Sequence, residues 1–180
     1  LIKDLYSAPI VLANGDETNS QYIPYPWPYF PLSKPEYTNV IGKDLGPVIT
    51  QFVSPIDTLP NLLKKIILLQ SSEFTKTVPV PALINLDQVV EKIKPSQFDE
   101  SAKILGVLVQ GENTSLFSNR IKPTVLANTK EVGNINVILF GDGNIAENQT
   151  EKGQPLSLGY DKWTNNLLKQ KPDHEWGSLF

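Results

Sequence analysis

Residues 22–32, Tyr22-Ile23-Pro24-Tyr25-Pro26-Trp27-Pro28-Tyr29-Phe30-Pro31-Leu32, decide how this chain must fold. Five aromatics (Tyr22, Tyr25, Trp27, Tyr29, Phe30) fall within nine residues, and Pro24, Pro26 and Pro28 take alternate positions. Proline fixes its own φ in the extended and polyproline range and pushes the residue before it out of the helical region. The segment is therefore extended. Successive N–H groups of a strand point to opposite edges, so the alternate prolines strip the donors from one edge only. This predicts an edge strand or polyproline arm whose prolines face away from any partner strand. Prolines and aromatics also fall on opposite faces. Aromatic side chains mostly bury, so the first role of this face is to pin the arm to a core. The sharper reading makes Tyr25, Trp27 and Tyr29 a docking or stacking surface for a partner or a sugar.

Composition narrows the field. A chain of 180 residues is long enough for one domain with a real core, and it reads as a single domain over 1–180. Hydrophobic content of 40% and charged content of 19% place it among globular proteins. A net charge of −3 gives no electrostatic basis for nucleic-acid binding. Fifteen lysines accompany one arginine, Arg120, which excludes an arginine cluster for bidentate phosphate recognition. With no cysteine, thiol catalysis, disulfides and thiolate metal sites are excluded. The chain begins at Leu1 and has no methionine, so it reads as a piece of something larger.

Short apolar runs set the organisation. Ala8–Leu12 reads as a strand leading into the turn-rich 14–16, and 48–53 as a second strand ended by Ser54-Pro55. A short helical turn is expected near 58–62 and a buried strand at 65–70. Pro79 and Pro81 mark 78–86 as another edge-type strand. Ile104–Val109 and Val137–Phe140 are the clearest core strands, each followed by glycine. Helix signals are few: the turns after Asp142, and 160–170, where Trp163, Leu167 and Gln170 share a face. The tail 165–180 reads as loosely ordered. The expectation is an α/β fold with a mixed, mostly buried sheet, few helices and proline-blocked edge strands.

Polar chemistry is sparse. Phe140-Gly141-Asp142-Gly143-Asn144 follows an expected strand, the place where α/β proteins bind ligands. Asp142 and Asn144 are candidate ligand-binding residues there. The plainer reading has one of them capping the next turn, since Asp and Asn lead the N-cap ranking. The single histidine, His174, lies in the polar tail. Neither a metalloprotease spacing nor a phosphate-binding glycine loop occurs. The expectation is no catalytic residue, no metal and no cofactor.

Several segments in order then carry a resemblance. They are Pro26–Leu32, Leu45-Gly46-Pro47-Val48 running to Leu59, Ile67–Ser72, Leu105–Gly111 with Thr114–Phe117, Phe140–Asn144, and Gly153–Leu156 with Leu158–Trp163. Together they resemble the GldG-like gliding-motility-associated auxiliary, substrate-binding-like proteins of ABC transporters in Bacteroidetes. The likeness covers roughly residues 8 to 164. It implies an extracytoplasmic domain on the periplasmic face of the cytoplasmic membrane, anchored by helices outside this sequence. It also implies a glutamine-amidotransferase-like or flavodoxin-like three-layer fold. The implied role is binding or scaffolding beside the transporter's membrane and ATPase subunits, not catalysis. Where that family commonly shows Asp-Gly-Asp after its last strand, this chain has Asn144, which removes the second carboxylate of a metal site. Two alternatives stand beside this reading: a carbohydrate or small-ligand module using the aromatic arm, and a hydrolase using Asp142.

Overall fold

The structure is a computed structural model that describes residues 1–14, 21–118, 120–121, 130–147 and 150–157. In chain order the strands are β1 (Ile2–Asp4), β2 (Ser7–Asn14), β3 (Gln21–Pro35), β4 (Val48–Ile49), β5 (Lys64–Gln70), β6 (Thr75–Thr77), β7 (Ile104–Thr114), β8 (Val132–Phe140), β9 (Thr150–Glu151) and β10 (Gln154–Pro155). The only helical pieces among the described residues are two 3-10 segments, Leu86–Val90 and Pro95–Gln97. The protein is mostly β-sheet. Its main sheet runs in the order β2-β3-β5-β7-β8, with β4 beside β3. Every pairing is antiparallel, where the sequence suggested a mixed sheet.

β3 is extended over its whole length, as its prolines require. Its first half pairs with β2, Ile10 opposite Tyr25 and Pro9 opposite Pro26. Two facing prolines have no N–H between them, so that pair is non-hydrogen-bonded and the ladder falls on the flanking residues. Pro24 and Pro26 thus turn their donor-less edge away from β2, as expected. An irregularity follows, because Ser7 pairs with Pro31 although Pro9 pairs with Pro26. Beyond it the strand is bonded on both edges. The Leu32 N–H donates to the Tyr6 carbonyl at 3.0 Å, while the Tyr29 and Pro31 carbonyls accept from Phe52 and Thr50 at 2.9 and 3.0 Å. The edge-strand expectation therefore holds only for the first half. The irregularity shifts the hydrogen-bonding edge, and Pro31 still has a carbonyl to offer.

Other expectations need correction. Only Val48–Ile49 of 48–53 is strand, since Phe52 takes a φ of 49° and breaks the run. No helical turn forms at 58–62. Leu62 is fully exposed, so the apolar spacing there serves no packed face, and the Asn61 side chain accepts from the Leu63 N–H at 3.1 Å instead. The strand expected over 78–86 ends at Thr77, just before the prolines. Val137–Phe140 is a strand, but Val137, Ile138, Leu139 and Phe140 are 48, 47, 51 and 38% exposed. Among the described residues β8 ends the strand order and is paired with β7 alone, from Gly106 opposite Phe140 to Thr114 opposite Val132. The expected helix at 160–170 and the tail at 165–180 lie outside the described residues.

Two apolar clusters hold the fold. Ile2, Val53, Leu69 and Leu105 form one, with Val48 and Ile145 against it. Trp27, Tyr29 and Val89 form the other, joined by Ile10, Leu12, Tyr25, Phe30, Val78 and Ile84. The aromatic face of β3 is thus pinned by the 78–90 connection, and Ile10 and Leu12 of neighbouring β2 join the same cluster.

Candidate functional site

The two sequence-derived site regions separate at once. Asp142 is buried, and both its oxygens are engaged by backbone donors: Asn144 N–H at 2.8 Å and Gln51 N–H at 2.7 Å. One bond caps the turn after β8, as expected. The other ties that turn to the segment beside β3. Gly141 makes this junction close, since a Cβ there would run into the Ser54 carbonyl. Asn144 is exposed, and its carbonyl accepts from Glu147 N–H at 2.8 Å. Among the described residues, no three His, Asp or Glu side chains come together as a metal site.

Trp27 and Tyr29 go elsewhere. They are only 3% exposed each, so they form no open stacking platform. With Pro28 they line one wall of a cleft of about 380 Å³, and Tyr25 does not reach it. Lys3 of β1 and Lys76 of β6 line it too. The opposite wall is the 86–99 connection, with Gln88, Glu91 and Lys92 beside Phe98 and Asp99. Local chemistry shapes that wall. Asn85 caps the Leu86–Val90 segment by accepting from the Asp87 N–H at 3.2 Å, and Pro95 begins the next 3-10 segment. Val89 and Phe98 are the buried residues that fasten it.

The charges on the cleft differ in their partners. Lys76 Nζ sits 2.9 Å from Asp99 and 3.9 Å from Glu100. The hydrogen bond to Asp99 raises the Lys76 pKa, and the same bond lowers that of Asp99. Behind this pair, Glu100 is pulled down to about 2, first by the Thr77 hydroxyl and then by Lys103. Lys3 instead places its ammonium 4.7 Å from the centre of the Tyr29 ring, a cation–π contact. Neither Lys3 nor Lys92 makes an ion pair among the described residues. Gln88 Oε1 is buried without a hydrogen-bond partner among them.

Sequence reading missed this wall. Lys3 is far along the chain from Gln88 and Lys92 and joins them at the cleft only through the fold. Asp4 was missed as well: fully buried, it accepts from Tyr6 N–H, Ser72 N–H and the Ser72 hydroxyl at 2.8, 2.8 and 2.6 Å. Burial raises its pKa against these bonds, and it holds β1 to the turn after β5 rather than facing the cleft.

Comparison with known proteins adds one finding. Residues 1–174 match the model of the ABC transporter auxiliary family, described as an "ABC-type uncharacterized transport system". No curated protein and no solved structure shows a significant match.

Proposed function

The chain belongs to the ABC transporter auxiliary family, and from that premise we propose that it is a non-catalytic binding subunit of the transport system, working through the Trp27 cleft. The observation that carries the binding role is the cleft itself. Among the described residues Lys3 and Lys92 make no ion pair there, on walls fixed by buried aromatics. Such pre-formed polar groups on a rigid apolar frame are what ligand sites consist of.

The GldG-like resemblance extends this reading to gliding motility and to the periplasmic face of the cytoplasmic membrane. The partners there are the transporter's membrane and ATPase subunits. The three-layer arrangement that accompanies the resemblance lays helices over the sheet, and β8 is the strand such a layer would cover. The hydrolase alternative is weaker, because both Asp142 oxygens are already taken by backbone donors.

The test has two arms. The purified chain is assayed against a panel of glycoside, phosphate and ester substrates, with Asp142→Ala as control. The parent protein is recovered from membranes and its partners identified. No turnover, with transporter subunits recovered, is the expected result. Turnover lost in Asp142→Ala, with no transporter subunit recovered, overturns it.

A further inference from the structure

We infer that the free edge of β8 pairs with β8 of a second copy of this chain, joining two main sheets into one. The register identifies the groups that meet. Gly141 N–H donates to the Leu105 carbonyl at 2.9 Å, and Gly106 lies opposite Phe140. Hydrogen-bonded and non-hydrogen-bonded pairs alternate along an antiparallel ladder. Val132, Asn134, Asn136, Ile138 and Phe140 therefore turn their N–H and C=O groups away from β7. Among the described residues no other strand takes that edge. It is also unguarded. Native edge strands are blunted by proline, charge or a bulge. β2, at the other end of the sheet, has Pro9 and an irregularity beside it. β8 has neither proline nor charged residue and follows β7 without a register shift.

Charge selects the occupant. β8 has no ionised side chain to offset a charged strand, and a charge set against Ile138 or Phe140 would lose water without gaining a partner. A second β8 brings no charge, has the same length and presents the same spacing of donors and acceptors. Antiparallel pairing about a two-fold axis at Asn136 uses the whole strand. Phe140 of one copy then meets Val132 of the other, an aromatic and β-branched pair. Asn136 meets itself. Its Oδ1 already accepts from Gln110 Nε2 at 2.6 Å, which leaves its amide N–H groups to donate to the other copy's Oδ1. The facing pairs exchange roughly ten main-chain hydrogen bonds. Pairing consumes both β8 edges and leaves the guarded β2 edges outside, so assembly closes at two. It engages the main chain, leaves the side-chain faces of β8 open above and below, and does not involve the Trp27 cleft.

Size exclusion with light scattering tests the pairing on the 180-residue chain. The expected mass is twice the 20.0 kDa of one chain. Asn136 is exposed and its main-chain groups point outward, so substitution there leaves the β7 ladder in place. An unchanged circular dichroism spectrum confirms that each variant folds. Asn136→Lys sets two ammonium groups against each other at the two-fold and should weaken self-association at least about tenfold. Asn136→Asp should do the same with two carboxylates. Mixed together, the two variants should recover the doubled mass, because unlike charges now face each other. A monomeric unaltered chain overturns the proposal. So does a dimer that Asn136→Lys leaves intact, or a mixture that stays monomeric. None of these outcomes bears on the binding role, which the recovery of transporter subunits from membranes decides separately.

Discussion

β3 and β8 invert what their compositions suggest. β3 carries five prolines in fifteen residues, yet Trp27 and Tyr29 at its centre are among the best-buried side chains of the molecule. β8 has no proline and no charged residue, yet Val137 to Phe140 stand about half exposed. The difference lies in neighbours. β3 has β2 along one edge, residues 50–52 along part of the other, and Val78, Ile84 and Val89 over its aromatic face. β8 has β7 along one edge, and Phe140 lies on Gly106, where a Cβ would collide with the ring. Hydrophobicity makes burial favourable, but only tertiary partners provide it.

The largest expected effect tests the buried side of this contrast. Trp27→Ala should destabilise the domain by about 3–5 kcal/mol, because a packed aromatic leaves a cavity between β3 and the 86–99 wall. Chemical denaturation measures it. A change under about 1 kcal/mol would mean that the arm is not pinned. Next comes the clasp joining the two regions. Asp142→Ala removes the acceptor for two backbone donors and should cost about 1–3 kcal/mol. Asp142→Asn, which keeps one oxygen, should cost less. Ile138→Ala on β8 should cost about 1 kcal/mol or less, since a half-exposed side chain has little burial to lose. A loss as large as that of Trp27→Ala would show β8 to be covered in solution.

A smaller effect appears with pH. The Thr77 hydroxyl and Lys103 depress Glu100 from its ordinary 4.5 to about 2, so the folded state favours the carboxylate. That contribution is fully present above pH 4.5 and is lost as pH falls toward 2. Asp4 acts in the opposite sense. Burial raises its pKa above 3.8, so its relative contribution to stability is greatest below that value and declines as pH rises through the folded value. Glu100→Gln should therefore flatten the acid limb of melting temperature against pH between 5 and 2. An unchanged acid limb would remove Glu100 from the account of the wall behind Lys76.

What could be read in advance was local. Proline chemistry fixes the backbone of residues 22–32 without help from the rest of the chain, and their extended form follows. β5 and the start of β7 were legible as short apolar runs bounded by polar residues or glycine, and the Asp142 cap as an Asp beside a turn. The failures needed tertiary knowledge. Leu59 and Leu62 have helical spacing but no surface to pack on, and the apolar run of β8 gives no sign that it ends the sheet. The cleft was illegible for the same reason. Trp27 and Tyr29 were singled out as aromatics, but nothing along the chain places Lys3 over Tyr29 or leaves Gln88 Oε1 without a donor.

The central claim is that ligand meets the molecule at the wall facing Trp27 and not at the exposed strand. Hydrogen exchange of the chain with and without the transporter subunits it recovers tests this most directly. The account predicts slower exchange across residues 86–99 and the Trp27–Tyr29 stretch, with 132–140 unchanged. Slowing confined to 132–140, with 86–99 unaffected, would contradict it.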